Sequence, residues 1–323
     1  MSVTLFGHWT LPVLVVAVAL GVSLAYERGV RLLPAPSPAH TSPADTSAGR
    51  PSGRQRWSFR AGIAFGVLLL VSPASYWSDI VLALRMSQGV VLAYVVAPLL
   101  AVGSPGPVLA AALRGPAARG AWAAAPVGPG TSPRSAGEAP VALPVREPGA
   151  RHLVRELRWL LDRPSTVTAS FLVVFLVCYL PAVMDLSIRV SLVHQAQIVG
   201  LVVIGTWLWV WLVGPRRPGR HPLEPVWMAG MILALDWAVA VLMGFAPHAW
   251  YPAHAAAPSH PLPVIVDQGL AAAILWAVPL FPLGLVVFRS LSVWLAEEDD
   301  DDARLAALLV ETRARMAETD RPD

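Results

Sequence analysis

The chain of 323 residues is 55% hydrophobic and only 14% charged, with a formal net charge of +3. That balance excludes an ordinary water-soluble protein of this length and makes lipid the expected solvent. The single cysteine, Cys178, lies inside an apolar run, which excludes an intramolecular disulfide framework and clusters of the Cys-x-x-Cys type. Every cationic side chain other than histidine is arginine. These arginines flank apolar runs instead of forming a basic face with stacking aromatics, so nucleic-acid binding has no support. The arginine-only bias is read as the mark of a GC-rich bacterial genome.

A helix needs about 20 mostly apolar residues to cross the hydrocarbon. The first such run covers residues 6–26, and with its flank it makes a first segment, 1–33. Ser23-Leu24-Ala25 resembles a signal-cleavage site, but no positive charge precedes the apolar stretch and arginine follows it, so a span with its N-terminus outside is expected. Residues 34–56 are rich in Pro, Ser, Ala and Gly and are expected to be a disordered cytoplasmic loop. Spans two and three, 59–75 and 80–102, form a hairpin through Tyr76-Trp77-Ser78-Asp79 within a segment 57–114. The cytoplasmic loop 115–163 is rich in Pro, Gly and Arg. Its residues 152–161 read either as an amphipathic helix on the membrane surface or as a solvated helix leading into the next span.

Within 164–296 the remaining spans are 167–184, 190–213, 226–245 and 262–295. The last is too long for a simple crossing and is expected to tilt, or to kink at Pro279 and Pro282. An acidic cytoplasmic tail, 297–323, opens with Glu297-Glu298-Asp299-Asp300-Asp301-Asp302 and continues in a helical pattern through Leu305, Leu308, Leu309 and Met316. The expected fold is therefore an all-α, polytopic transmembrane bundle of about seven spans. The segments 27–60, 103–165, 214–225 and 289–323 hold every arginine except Arg85 and Arg189, and residues 246–261 hold none. By the positive-inside rule this places the C-terminus in the cytoplasm, in a plasma membrane.

Ionisable groups within a bilayer are expensive, so each is a functional candidate, with a structural ion pair as the alternative. Arg85, Ser87 and Gln88 lie on span three, and Asp185 and Arg189 border the turn between spans four and five. His194, Gln195 and Gln197 open span five, and Asp267 and Gln268 open span seven. Asp236 alone is near mid-membrane. The expectation is an outward-facing polar pocket of Arg85, Gln88, Asp185, Arg189, His194, Asp267 and Gln268. Asp185 and Asp267 are then the candidate partners of Arg85, with Asp79 as a surface alternative.

A series of short motifs resembles the CtaG (caa3-type) family of cytochrome c oxidase assembly proteins. The motifs are Tyr26-Glu27-Arg28-Gly29-Val30, Trp57-Ser58-Phe59-Arg60-Ala61-Gly62, Ala97-Pro98-Leu99-Leu100, Gly103-Ser104-Pro105, Leu180-Pro181-Ala182 and Asp267-Gln268-Gly269-Leu270. The resemblance implies a membrane factor that assists oxidase assembly, with oxidase subunits and lipid as partners and copper as the metal in question. It also implies histidine pairs in spans three and five and one histidine in span four. At the corresponding positions this chain has Arg85 and Gly89, Tyr179, and His194 and Ile198, so only His194 remains.

Met86, Cys178, Met184 and Met243 offer a replacement set of soft ligands, or are core fillers. His8, His248, His254 and His260 offer a looser metal set, with surface histidines as the alternative. A transporter using the polar pocket is the rival function. No nucleophile-elbow, His-Glu-x-x-His or phosphate-loop motif marks the chain as an enzyme.

Overall fold

The computed structural model describes residues 12–33, 50–114, 162–214, 220–256 and 261–319, and these are helices and connecting turns. Long apolar segments have no solvent to satisfy their backbone groups except themselves, which makes helix the outcome for each. In chain order the helices begin with α1 (Val13–Leu32), α2 (Gly53–Val71) and the short α3 (Pro73–Trp77). α4 (Leu82–Val91) continues through a π-helical turn (Leu92–Val96) into α5 (Ala97–Val102), followed by α6 (Pro105–Arg114). Then come α7 (Pro164–Tyr179), α8 (Pro181–Arg189), α9 (Ser191–Val213) and α10 (Glu224–Gly244). The short α11 (Pro252–Ala255), α12 (Val264–Ala277) and α13 (Leu280–Thr319) complete the helices of the described residues.

Among the described residues five runs are long and apolar enough to cross a membrane: α1, α4 to α5, α9, α10, and α12 continued into α13. The pair α7 and α8, bent by 63°, makes a sixth if taken as one broken span. The bend falls at Pro181, whose ring removes a backbone donor and forces the preceding residue out of helical geometry. Seven spans were expected. The shortfall is α2, which carries Arg54, Arg56 and Arg60 in its first turns.

α2 also starts inside the segment expected to be a loop. Ser52 accepts from the backbone N–H of Gln55, and the Gln55 side chain accepts from the Ser52 N–H, a capping box that starts the helix at Gly53. The amphipathic stretch 152–161 lies outside the described residues. The acidic tail continues α13 without a break as far as Thr319.

Two apolar cores hold the bundle. The larger joins α4 and α5 to α7, α9, α10 and α12 around Met86, Phe171, Trp209, Ile232 and Leu275. The smaller joins α1, α2 and α6 to the other side of α4 and α5 around Tyr26, Phe59, Leu100 and Val108. Here several motif residues meet. The Tyr26 ring stacks on Phe59 at 3.8 Å and its hydroxyl donates to the Gly103 carbonyl at 2.8 Å. Glu27 takes Arg56 at 3.2 Å and Arg60 at 2.7 Å. A Cβ on Gly29 would lie 2.0 Å from the Val108 carbonyl oxygen, so only glycine lets α1 approach α6 this closely.

Candidate functional site

The polar residues at the end of the bundle bearing Asp79 divide into a cavity wall and a set of helix ties. Arg85, one turn into α4, is almost wholly buried; its guanidinium donates to Asp79 Oδ1 and to Ser187 Oγ, both at 2.6 Å. Asp79, 56% exposed, is therefore the ion-pair partner, and the expected partners Asp185 and Asp267 are not. The reason is backbone chemistry. α4 opens at Val81, which has no side chain able to cap it. Asp267, from α12, supplies the cap instead, accepting the N–H groups of Leu82 at 2.7 Å and Ala83 at 2.9 Å.

Asp185 likewise accepts the Ala253 N–H of α11. Gln268 accepts from the Trp250 N–H at 2.8 Å and donates to the Met243 carbonyl at 2.9 Å and to that of His248, which anchors the loop between α10 and α12. Arg189 is exposed at the end of α8. Of the seven residues expected in one pocket, only Arg85, Gln88 and His194 wall the same cavity.

That cavity measures about 30 Å³. All five positions singled out by the family histidines lie on it: Arg85, Gly89, Tyr179, His194 and Ile198. Gly89 is helical, and a Cβ there would lie 2.4 Å from the Tyr179 hydroxyl. The phenol thus fills the space that a side chain at position 89 would need. It ends α7 at the Pro181 break, and its hydroxyl has no partner among the described residues. The same break leaves the Cys178 carbonyl free, and Gln197 donates to it at 3.1 Å.

Among the soft donors, Cys178 and Met184 share the cavity with His194, whereas Met86 and Met243 are fully buried in the larger core and do not wall it. No three His, Cys, Asp or Glu among the described residues are grouped to hold a metal ion. The buried guanidinium of Arg85, paired with Asp79, takes up one side of the same small space, and the imidazole pairs that the resemblance implies are not rebuilt there.

Beyond the cavity, His194 and Ile198 also wall a wider vestibule of about 680 Å³, open between the start of α1 and α9, with Ser75, Asp79 and Gln195 on its rim. Of the four histidines in the looser set, His248 and His254 are among the described residues. His248 is exposed, and His8 and His260 lie outside the described residues. His254 is not a surface residue: it is 2% exposed, with Nε2 3.3 Å from the Ser78 carbonyl and Nδ1 without a partner among the described residues. Burial, then the Arg85 charge, hold its pKa below the usual histidine range. The Ser78 hydrogen bond, Asp267 and Asp79 oppose this.

Two buried groups escaped the sequence reading. Tyr94, in the π-helical turn, donates to Asp236 Oδ2, while Asp236 Oδ1 has no partner among the described residues. The Ala93 carbonyl in that turn receives the Trp209 indole N–H at 2.8 Å. The signal was available in principle, because a buried Tyr or Trp needs a partner for its polar tip. What the sequence does not carry is which partner.

The fold and site together define a polytopic helical membrane protein whose polar residues at one end mostly tie helices and loops, around one small cavity. A family model described as "Cytochrome c oxidase caa3 assembly factor" matches residues 39–297, well over half of the chain, and the chain belongs to that family. The match includes α2 to α12 and leaves α1, with its Tyr26-Glu27-Arg28-Gly29 motif, ahead of it. No curated protein and no solved structure matches the chain.

Proposed function

We propose that this protein assists assembly of a membrane-bound cytochrome c oxidase through protein contact, without itself carrying the copper. The family supports the assembly role. The observation that carries the rest is the pairing of Gly89 with Tyr179. At two positions where the resemblance implies histidines, a phenol fills the space above a glycine, and Arg85 puts a guanidinium at a third. His194 remains beside the vestibule as a single imidazole, too few for an ion without other ligands.

In this reading the Asp79 end faces outside and the Arg56 and Arg60 end faces the cytoplasm, in keeping with the arginine distribution. A reporter fused after Ala256 is then expected outside and one after Thr319 inside, and the reverse result rejects the orientation.

The functional test has two parts. Cells lacking the protein should lose oxidase activity and regain it with the native chain. Elemental analysis of protein reconstituted with Cu(I) should find no stoichiometric copper, in the native chain or in His194→Ala. Stoichiometric copper that disappears in His194→Ala would overturn the copper-free reading. Intact oxidase with altered solute uptake would favour the transporter instead.

A further inference from the structure

At the end of the bundle opposite Asp79, a pocket of about 60 Å³ lies between the last turn of α9, the first turn of α10 and α13. Two candidate spans stop at its level, α9 at Val213 and α10 at Glu224, which puts it where hydrocarbon gives way to lipid headgroups. Its polar wall consists of Arg220, His221, Glu224, Arg289 and Ser290. Arg220 is held in place: its guanidinium lies 4.0 Å over the Trp211 ring, and its Nε donates to Glu224 Oε2. Its Nη2 is buried and has no partner among the described residues. A buried charged donor without an acceptor is costly, so an acceptor is expected beside it. His221 Nδ1 accepts the Leu223 N–H at 3.2 Å, which leaves Nε2 to carry the ring proton as a second donor. Arg289 forms no ion pair among the described residues. Two guanidinium groups against one carboxylate leave one positive charge in excess. We propose that this pocket binds a phosphate group carrying a single negative charge, the chemistry of the phosphodiester in an anionic phospholipid.

The free valences on this wall are donors, and they select an oxyanion over a cation or an apolar group. The space admits about four water-sized groups, which suits the oxygens of a phosphate better than the pair on a carboxylate. A singly charged phosphodiester cancels the excess charge. A zwitterionic headgroup instead brings an ammonium towards two guanidinium groups, with only Glu224, already paired to Arg220, to receive it. In the proposed orientation this end faces the cytoplasm, and basic pockets between spans on that side accommodate anionic headgroups. The depth of the pocket at the ends of α9 and α10 favours a lipid over a soluble phosphate as the carrier. The site is separate from the cavity that His194 walls, which lies at the opposite end of α9.

The test is native mass spectrometry of the full chain in a non-ionic detergent, titrated separately with phosphatidylglycerol and phosphatidylcholine of identical acyl chains. Inorganic phosphate forms a third arm, read as a shift of the thermal transition. The expected result is a phosphatidylglycerol adduct that forms at lower lipid concentration than any phosphatidylcholine adduct. Arg289→Gln, a change at an exposed side chain, should weaken that adduct about tenfold, the equivalent of one charge-assisted hydrogen bond. Arg60→Gln removes the same charge at the same end of the bundle but outside the pocket, and should leave the adduct unchanged. Stabilisation by inorganic phosphate that Arg289→Gln abolishes, without preference between the lipids, would assign the same site to a soluble phosphate. Equal weakening by Arg60→Gln and Arg289→Gln overturns the proposal, because it describes a diffuse basic surface. Absence of any Arg289-dependent binding of lipid or phosphate overturns it too, in favour of a pocket filled by water.

Discussion

The contact between Gly89 and Tyr179 can be tested by a double-mutant cycle. A Cβ at position 89 would lie 2.4 Å from the Tyr179 hydroxyl oxygen but 3.4 Å from the ring carbon that bears it. The clash therefore belongs to one atom. Gly89→Ala alone must push the phenol away inside a packed wall, at a cost of about 1–3 kcal/mol. Tyr179→Phe alone removes a buried hydroxyl that has no partner among the described residues, so it should be near neutral or mildly stabilising. With the oxygen gone, the new methyl meets ordinary van der Waals contact, and the helix gains about 0.5–1 kcal/mol from replacing glycine by alanine. The double variant should thus be at least as stable as the native chain, with a coupling of about 1–3 kcal/mol between the two positions. Thermal unfolding of the four proteins in one detergent measures this. Additive effects would mean that the two side chains do not share the space, and the account of the filled histidine site would fall with them.

Three further outcomes follow from the same geometry. Asp267→Ala should destabilise by about 1–2 kcal/mol, since two N–H groups at the start of α4 lose their acceptor, and Asp267→Asn should recover part of the loss in the same unfolding assay. Trp209→Phe keeps an aromatic ring but removes the indole hydrogen bond to the Ala93 carbonyl of the π-helical turn, at a cost of about 0.5–1.5 kcal/mol, measurable as faster hydrogen exchange around that turn. His254 has its folded-state pKa depressed, so its contribution to stability is complete above the unfolded value of 6.5 and declines as pH falls below it. The charged groups that act on it are Arg85, Asp79 and Asp267. Melting temperature should therefore fall on acidification, and His254→Gln should flatten that dependence; an unchanged slope in the variant would assign it to other groups.

The sequence by itself determined the helical class and the position of most long apolar runs, because an apolar run in lipid must hydrogen-bond to itself wherever it is placed. The bend at Pro181 and the helix start at Ser52 follow equally local rules, yet the apolar pattern runs across the one and the Pro- and Ser-rich composition masks the other. The sequence also located the polar residues at one end of the bundle, because depth along a helix follows from counting residues. Which of them meet was decided only by the tertiary structure. Asp267 and Asp79 are both carboxylates near Arg85 in depth, yet one caps α4 and the other takes the guanidinium. The choice depends on how α12 packs against α4 and on Val81 having nothing with which to cap its own helix. Loop position suggests that His254 is exposed, but α11 folds it under Ser78. The fit of Tyr179 over Gly89 joins residues ninety positions apart. Such pairings depend on distances of a few ångströms between helices, set by packing of the whole bundle and carried by no short stretch of chain.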